Sequence, residues 1–217
     1  MCLEKLRQNP YILFIDCTYE TNYYNIPLLN IVSVNAMNST FYVGFGFIQE
    51  ETEESYKFLL TCLNTIYKKL NLPSLNTILM DKDQALINAI KDILPVTNHM
   101  LCIWHINKNI TARAKPLIQS TMLCIIDDDE FKMAVDDTQS LMLKEWMTVV
   151  NAETEPQMRA VWESFKKTYN NDKYREVMRY ITDEWLEPVT AHRFLHCYTN
   201  IYLHFNNAAT SRYEAAY

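Results

Sequence analysis

Tyr11-Ile-Leu-Phe-Ile-Asp16 is a short apolar run that stops on a carboxylate, and Leu75-Asn-Thr-Ile-Leu-Met80 is a second that runs into Asp81. Brief runs of this kind, bounded by polar residues, read as buried strands. Working outward from the first, Leu28–Ala36 and Thr40–Gln49 are rich in Val, Ile, Phe and Tyr, with Asn38 and Ser39 between them as turn formers. They predict a second and a third strand paired as a hairpin. Thr52 then precedes Glu53 and Glu54, Lys68 and Lys69 close the segment, and Leu59, Leu63, Ile66 and Leu70 recur between them at helical spacing. Acid first and base last suits the helix dipole, so a helix is expected over about 53–71. Beyond the Leu75–Met80 strand, Gln84–Leu94 predicts a second helix and His99–Trp104 a fifth strand.

The order strand-strand-strand-helix-strand-helix-strand resembles that of an RNase H-like domain. That architecture implies an α/β mixed sheet whose first and fourth strands are central neighbours, so that residues at their carboxyl ends face one another. From about 106 to 205 the pattern changes to helical spacing. Trp146, Trp162 and Trp185 with Phe165, Tyr169, Met178 and Leu186 predict a helical core, and Pro116, Pro156 and Pro188 predict breaks between helices. Asp127–Glu130 reads as a solvated helix start or loop.

Composition narrows the chemistry. Of 217 residues, only two are glycine, Gly44 and Gly46. That excludes the three-glycine dinucleotide fingerprint, the phosphate-cradling P-loop and the Gly-x-Ser-x-Gly nucleophile elbow. Six cysteines without a Cys-x-x-Cys pair are sparse for a disulfide-built fold, and the N-terminus lacks an apolar signal core, so an intracellular soluble protein is expected. Residues 1–115 hold 10 Lys+Arg and 10 Asp+Glu, whereas residues 116–217 hold 10 and 16, which places the whole net charge of -6 in the second half. Counterion release favours a basic face for gripping nucleic acid, so tight autonomous DNA binding is not expected.

Five blocks in order identify a resemblance. They are Asp16-Cys-Thr-Tyr-Glu-Thr-Asn22 with Pro27-Leu-Leu29; Glu51-Thr-Glu-Glu-Ser55; Asp81-Lys-Asp-Gln-Ala-Leu86 with Ala89-Ile90; Leu101-Cys-Ile-Trp-His105 with Asn107 and Lys108; and Thr210-Ser-Arg-Tyr-Glu214. Together they resemble the transposase domain of Mutator-like elements (MULE), a DDE transposase family. The resemblance implies an RNase H-like catalytic core over 11–105 after a lead-in at 1–10. It further implies a long all-helical insertion over 106–205 and the start of a final catalytic helix over 206–217.

It also implies the chemistry: DNA strand cleavage and strand transfer by a DDE triad, Asp16, Asp81 and Glu214, holding two Mg²⁺ or Mn²⁺ ions. In-line displacement at phosphorus uses such a pair, one ion at the attacking oxygen and one at the leaving oxygen, and hard cations prefer carboxylates. Asp81 competes with Asp83, which is placed to cap the helix at Gln84. Glu214 sits three residues from the end of the sequence, where the family's helix is expected to continue, so a truncated catalytic core is one reading of this chain. A domesticated or degenerate derivative that binds DNA or protein without cutting is the other; relatives of the family include far-red-responsive plant transcription regulators.

Cys102 and His105 lie near the pocket in the family. His192 and His196 have the i, i+4 spacing of paired helical ligands and with them would make a Cys-His₃ zinc site. A cysteine packed as a small hydrophobe and a histidine bonded to a carboxylate explain the same residues. Trp104 is expected in the core. Lys108, Arg113, Lys115 and Arg212 are candidate phosphate contacts, or equally an ordinary solvated helix face. The implied partners are transposon ends and target DNA, recognised through a module that this sequence lacks, and further copies of the protein in an active complex. The implied place of action is the nucleus.

Overall fold

β-branched and aromatic residues dominate the three N-terminal strands, and the expected turn at Asn38 and Ser39 lies between the second and the third. β1 (Ile12–Thr18) pairs antiparallel with β2 (Leu28–Val34), and β2 pairs antiparallel with β3 (Thr40–Phe47). Asn38 makes the hairpin turn with a positive φ of 57°, a conformation asparagine tolerates. β4 (Thr77–Met80) and β5 (Asn98–Leu101) add in parallel, giving the order β3-β2-β1-β4-β5. This computed structural model describes residues 2–19, 22–122 and 128–209.

The sheet has two distinct faces. On one, Leu13, Ile15, Ile78 and Met80 pack against Tyr56, Leu60 and Leu63 of α2 (Glu53–Lys69) and Leu86, Ala89 and Ile90 of α3 (Gln84–Ile93). The α1 helix (Cys2–Gln8) adds Leu6 to this cluster. On the other face, Ile12, Phe14, Val32, Val34, Leu79 and Met100 form a smaller cluster, flanked by Tyr42 and Tyr202. Fully burying side chains such as Leu13, Leu60 and Ile78 contributes about 1.5–3 kcal/mol each, so the helix-covered face carries most of the stabilisation.

Both glycines lie on β3, and they differ in what surrounds them. A Cβ at Gly46 would stand 2.7 Å from Leu59 Cδ2 of α2, whereas one at Gly44 would meet nothing within 4 Å. Gly46→Val is therefore expected to cost about 1–3 kcal/mol through overpacking, and Gly44→Val no more than about 0.5 kcal/mol. Urea midpoints of the two variants check this; equal shifts would show that Leu59 simply moves aside.

The chain divides into two compact units, Met1–Cys102 with Ile201–Tyr217, and Ile103–Asn200. The second unit is helical among its described residues: α4 (Ile103–Met122), α5 (Asp128–Val150), α6 (Glu155–Tyr169), α7 (Arg175–Tyr180), α8 (Pro188–Ala191) and α9 (His196–Thr199), with a π-helical turn at Ile181–Trp185. Trp146, Phe165, Tyr169 and Trp185 are buried at its centre, joined by Val177 and Phe194, while Trp162 is only half-buried and stacks on Phe165 at 5.6 Å.

Some elements depart from the sequence expectation. The lead-in at 1–10 contains a helix, α1, which buries Leu6 while Leu3 stays exposed. β5 ends at Leu101 rather than Trp104, and Ile103 already begins α4, which takes Trp104 out of the sheet. Pro156 and Pro188 open helices, but Pro116 lies inside α4. The helix nevertheless continues past it to Met122. Among the described residues, no helix is long and apolar enough to cross a membrane.

Candidate functional site

Asp16 and Asp81 reach the same place by different routes. β1 and β4 run parallel with Ile15 opposite Met80, so the next residue on each, Asp16 and Asp81, occupies the same level on adjacent strands. Strands alternate faces with a period of two. Asp16 follows Ile12 and Phe14, and Asp81 follows Leu79, all on the face away from α2 and α3. Alternation thus assigns both carboxylates to one face and one level of the sheet, with strand spacing of about 4.8 Å between their backbones. Both residues are half-buried.

The polar setting continues across the sheet. Asn30 on β2 lies directly opposite Asp16, is 6% exposed, and donates from its amide to Thr18 Oγ1 at 2.9 Å. Asp81 Oδ1 accepts the backbone N–H of Lys82 at 2.6 Å. Asp83 instead serves the following helix, where its Oδ1 accepts the N–H groups of Ala85 and Leu86 at 2.7 and 3.1 Å, capping α3. Of the two competing aspartates, Asp83 is therefore committed to the helix.

The opposite face of the same strand ends holds a cluster that sequence reasoning missed. The Tyr56 hydroxyl of α2 lies between two carboxylates, 2.9 Å from Glu51 Oε1 and 2.8 Å from Asp83 Oδ2, with its single proton available to either. The Tyr19 hydroxyl also donates to Glu51. Burial pushes the Cys17 thiol well above its ordinary range, helped by a hydrogen bond to Glu51 and by the nearby charges of Glu51, Asp16 and Asp83. Such a thiol stays protonated and is no nucleophile. Burial likewise raises Tyr56, reinforced by its hydrogen bond to Asp83. The signal available in the sequence was the placement of Tyr56 on the apolar face of α2, directly after the Glu51–Ser55 block.

The remaining candidates are more dispersed. Cys102 is fully buried, its backbone N–H donating to Met80 O at 2.8 Å beside the end of β4. His105 lies in the first turn of α4, its ring 4.8 Å from that of Trp104. His192 and His196 do not form a helical i, i+4 pair: His192 caps the C-terminus of α8, and His196 opens α9 beyond the extended Leu195. The His192 ring is exposed and lies 4.0 Å from Tyr198. The predicted paired-ligand geometry is thus absent because the helix breaks between the two residues.

Lys108 sits 4.7 Å over the Trp104 ring and Arg113 5.9 Å over that of Tyr180, so each engages an aromatic face within the helical unit. Lys115 is exposed. Glu214 and Arg212 lie outside the described residues. Among the described residues, no group of three or more His, Cys, Asp and Glu side chains is arranged to hold a metal ion. Two aspartates without the third expected ligand do not reach that number.

The family model described as the MULE transposase domain matches residues 12–109, which span β1 through the first turns of α4. A PKS-NRPS hybrid synthetase, cheA, of Chaetomium globosum is 24% identical over 99% of this chain and 5% of its own length. FAR1-RELATED SEQUENCE 6 of Arabidopsis thaliana is 31% identical over 46% of this chain and 14% of its own. FAR-RED IMPAIRED RESPONSE 1 of the same plant is 25% identical over 56% of this chain and 16% of its own. The chain therefore spans only a small part of each of these relatives.

Proposed function

Because residues 12–109 belong to the MULE transposase domain family, we propose that this chain carries the acid pair of a DNA-cutting and strand-transferring core with an RNase H-like fold. The observation that carries the reading is the shared level and face of Asp16 and Asp81 on parallel neighbours β1 and β4. Two carboxylates held side by side repel, and a divalent cation between them relieves that repulsion while keeping several of its waters. The donor set fits a hard cation such as Mg²⁺ or Mn²⁺, with Glu214 as the third ligand of the proposed triad. When bound, such ions stabilise charge on the attacking and leaving oxygens at phosphorus.

The chain's own residues supply placement. The β1–β4 ladder brings Asp16 and Asp81 to one level just past its last pair, Ile15–Met80, and Asn30 and Thr18 form the polar floor beside Asp16. The Ile103–Asn200 unit, helical among its described residues, is the insertion of this reading. Of the expected final catalytic helix over 206–217, residues 206–209 are turn and irregular backbone and the rest lie outside the described residues. DNA ends and target DNA are the proposed substrates, in the nucleus, with recognition and self-association supplied by further parts of a longer protein. A second reading, a derivative that binds DNA or protein without cutting it, draws support from the likeness to the FAR1-related sequences.

Calorimetric titration with Mn²⁺ separates them. The wild-type chain is expected to bind saturably, and Asp16→Asn and Asp81→Asn each to weaken binding by at least about 10-fold. Equal binding by all three proteins would remove the catalytic reading and leave the non-catalytic one.

A further inference from the structure

We propose that Tyr56 and Glu51 are positioning residues for the Asp16–Asp81 pair, bracing the two strand ends from the face opposite the carboxylates; this rests on the acid-pair reading above. The geometry is that of a strut. Tyr56 is 1% exposed and anchored in α2 by its neighbours Leu60 and Leu63, so its hydroxyl has a fixed origin. From there it reaches Asp83 at 2.8 Å, two residues after Asp81, and Glu51 at 2.9 Å. Glu51 in turn accepts from Tyr19, three residues after Asp16. The chain of contacts therefore runs from the end of β1 to the end of β4 without touching the face on which the two aspartates lie.

The strut is needed because the β1–β4 ladder stops at the Ile15–Met80 pair. One step beyond it, the last backbone pairs no longer hold the separation of the two acid-bearing residues. Asp83 also caps α3 through its other oxygen. One side chain thus ties the turn after Asp81 both to α3 and, through Tyr56, to β1. Groups that orient metal ligands from behind affect metal affinity by about 10–100-fold when removed.

The test compares the wild-type chain with Tyr56→Phe and Glu51→Gln by two measurements. Amide hydrogen exchange is expected to accelerate in Tyr56→Phe at residues 17–19 and 82–86 more than elsewhere. Mn²⁺ affinity of the folded variant is expected to fall by about 10-fold or more, with intermediate loss in Glu51→Gln, whose amide retains an acceptor for Tyr56. A merely structural role would lower the unfolding midpoint and leave the affinity of the folded protein unchanged, and that result would overturn the proposal. Should Tyr56→Phe fail to fold, Glu51→Gln decides by the same two readings. If the wild-type chain takes up no Mn²⁺ that Asp16→Asn removes, the acid-pair reading has failed and the positioning role falls with it. If the wild type binds and both strut variants bind equally well, only the strut has failed.

Discussion

Trp146→Ala is expected to destabilise the helical unit by about 3–5 kcal/mol, enough to consume much of the stability of an ordinary domain. Trp146 is fully buried on α5 and packs between two other aromatic rings, 6.3 Å from Phe165 and 6.1 Å from Phe194. Phe165 contacts Tyr169 at 4.6 Å, and Phe194 lies 6.5 Å from Trp185, so the indole joins helices α5 and α6 to the segment after α8. Removing it leaves a cavity that short helices around a π-helical turn have little means to fill. All four tryptophans of the sequence lie in Ile103–Asn200, so tryptophan fluorescence during urea unfolding reads this unit and not the sheet. Trp146→Phe is the control. The indole N–H of Trp146 is buried without a hydrogen-bond partner among the described residues. Phenylalanine deletes that donor as well as some area, and its cost is expected to stay below about 1.5 kcal/mol. A loss under about 1 kcal/mol for Trp146→Ala would show that the aromatic cluster is not the core of this unit.

The sheet was legible in the sequence because its signals are local. Apolar runs ending at Asp16 and Asp81, an asparagine turn at 38, and the acid-to-base gradient of 53–69 each act within a few residues. Thr52, just before that gradient, caps α2, its side chain accepting from the Ser55 backbone. The pairing of β1 with β4 is what the RNase H-like resemblance of the element order implied. The faces of Asp16 and Asp81 needed the observed register, because a slip of one residue would send either carboxylate to the helix side. The Tyr56–Glu51–Asp83 contacts lay beyond reach for another reason: they join residues up to 32 positions apart. The end of β5 was misjudged because Cys102, Ile103 and Trp104 are apolar, and apolar content alone does not separate a buried strand from the first turn of a buried helix. The His192–His196 spacing misled in the same way: an i, i+4 interval matters only if one helix spans it.

Alkaline pH is expected to unfold the sheet unit well before its tyrosines have all titrated. Tyr56 and Tyr67 are buried, 1% and 6% exposed. Burial, and for Tyr56 also Asp83, raises both phenols far above their ordinary value near 10. A phenol carries charge only after losing its proton, so the folded state holds these two protons more tightly than the unfolded state does. Their contribution is complete below about pH 10 and is lost as pH rises beyond it, at roughly 1.4 kcal/mol per pH unit for each group. Together they are expected to remove roughly 3 kcal/mol per pH unit, enough to exhaust a marginal domain within about two units. Tyr67→Phe isolates one share. Its hydroxyl donates to Pro10 O at 2.7 Å, so the variant is expected to lose about 1 kcal/mol near neutral pH. Above about pH 10, however, its stability should fall less steeply than that of the wild type, by roughly the 1.4 kcal/mol per pH unit that one buried phenol contributes. Urea midpoints followed by far-ultraviolet circular dichroism, with tyrosinate absorbance recorded in parallel, check both slopes. A wild-type midpoint that stays flat from about pH 8 to 11 would mean that the two phenols ionise as readily in the folded protein as in the unfolded chain.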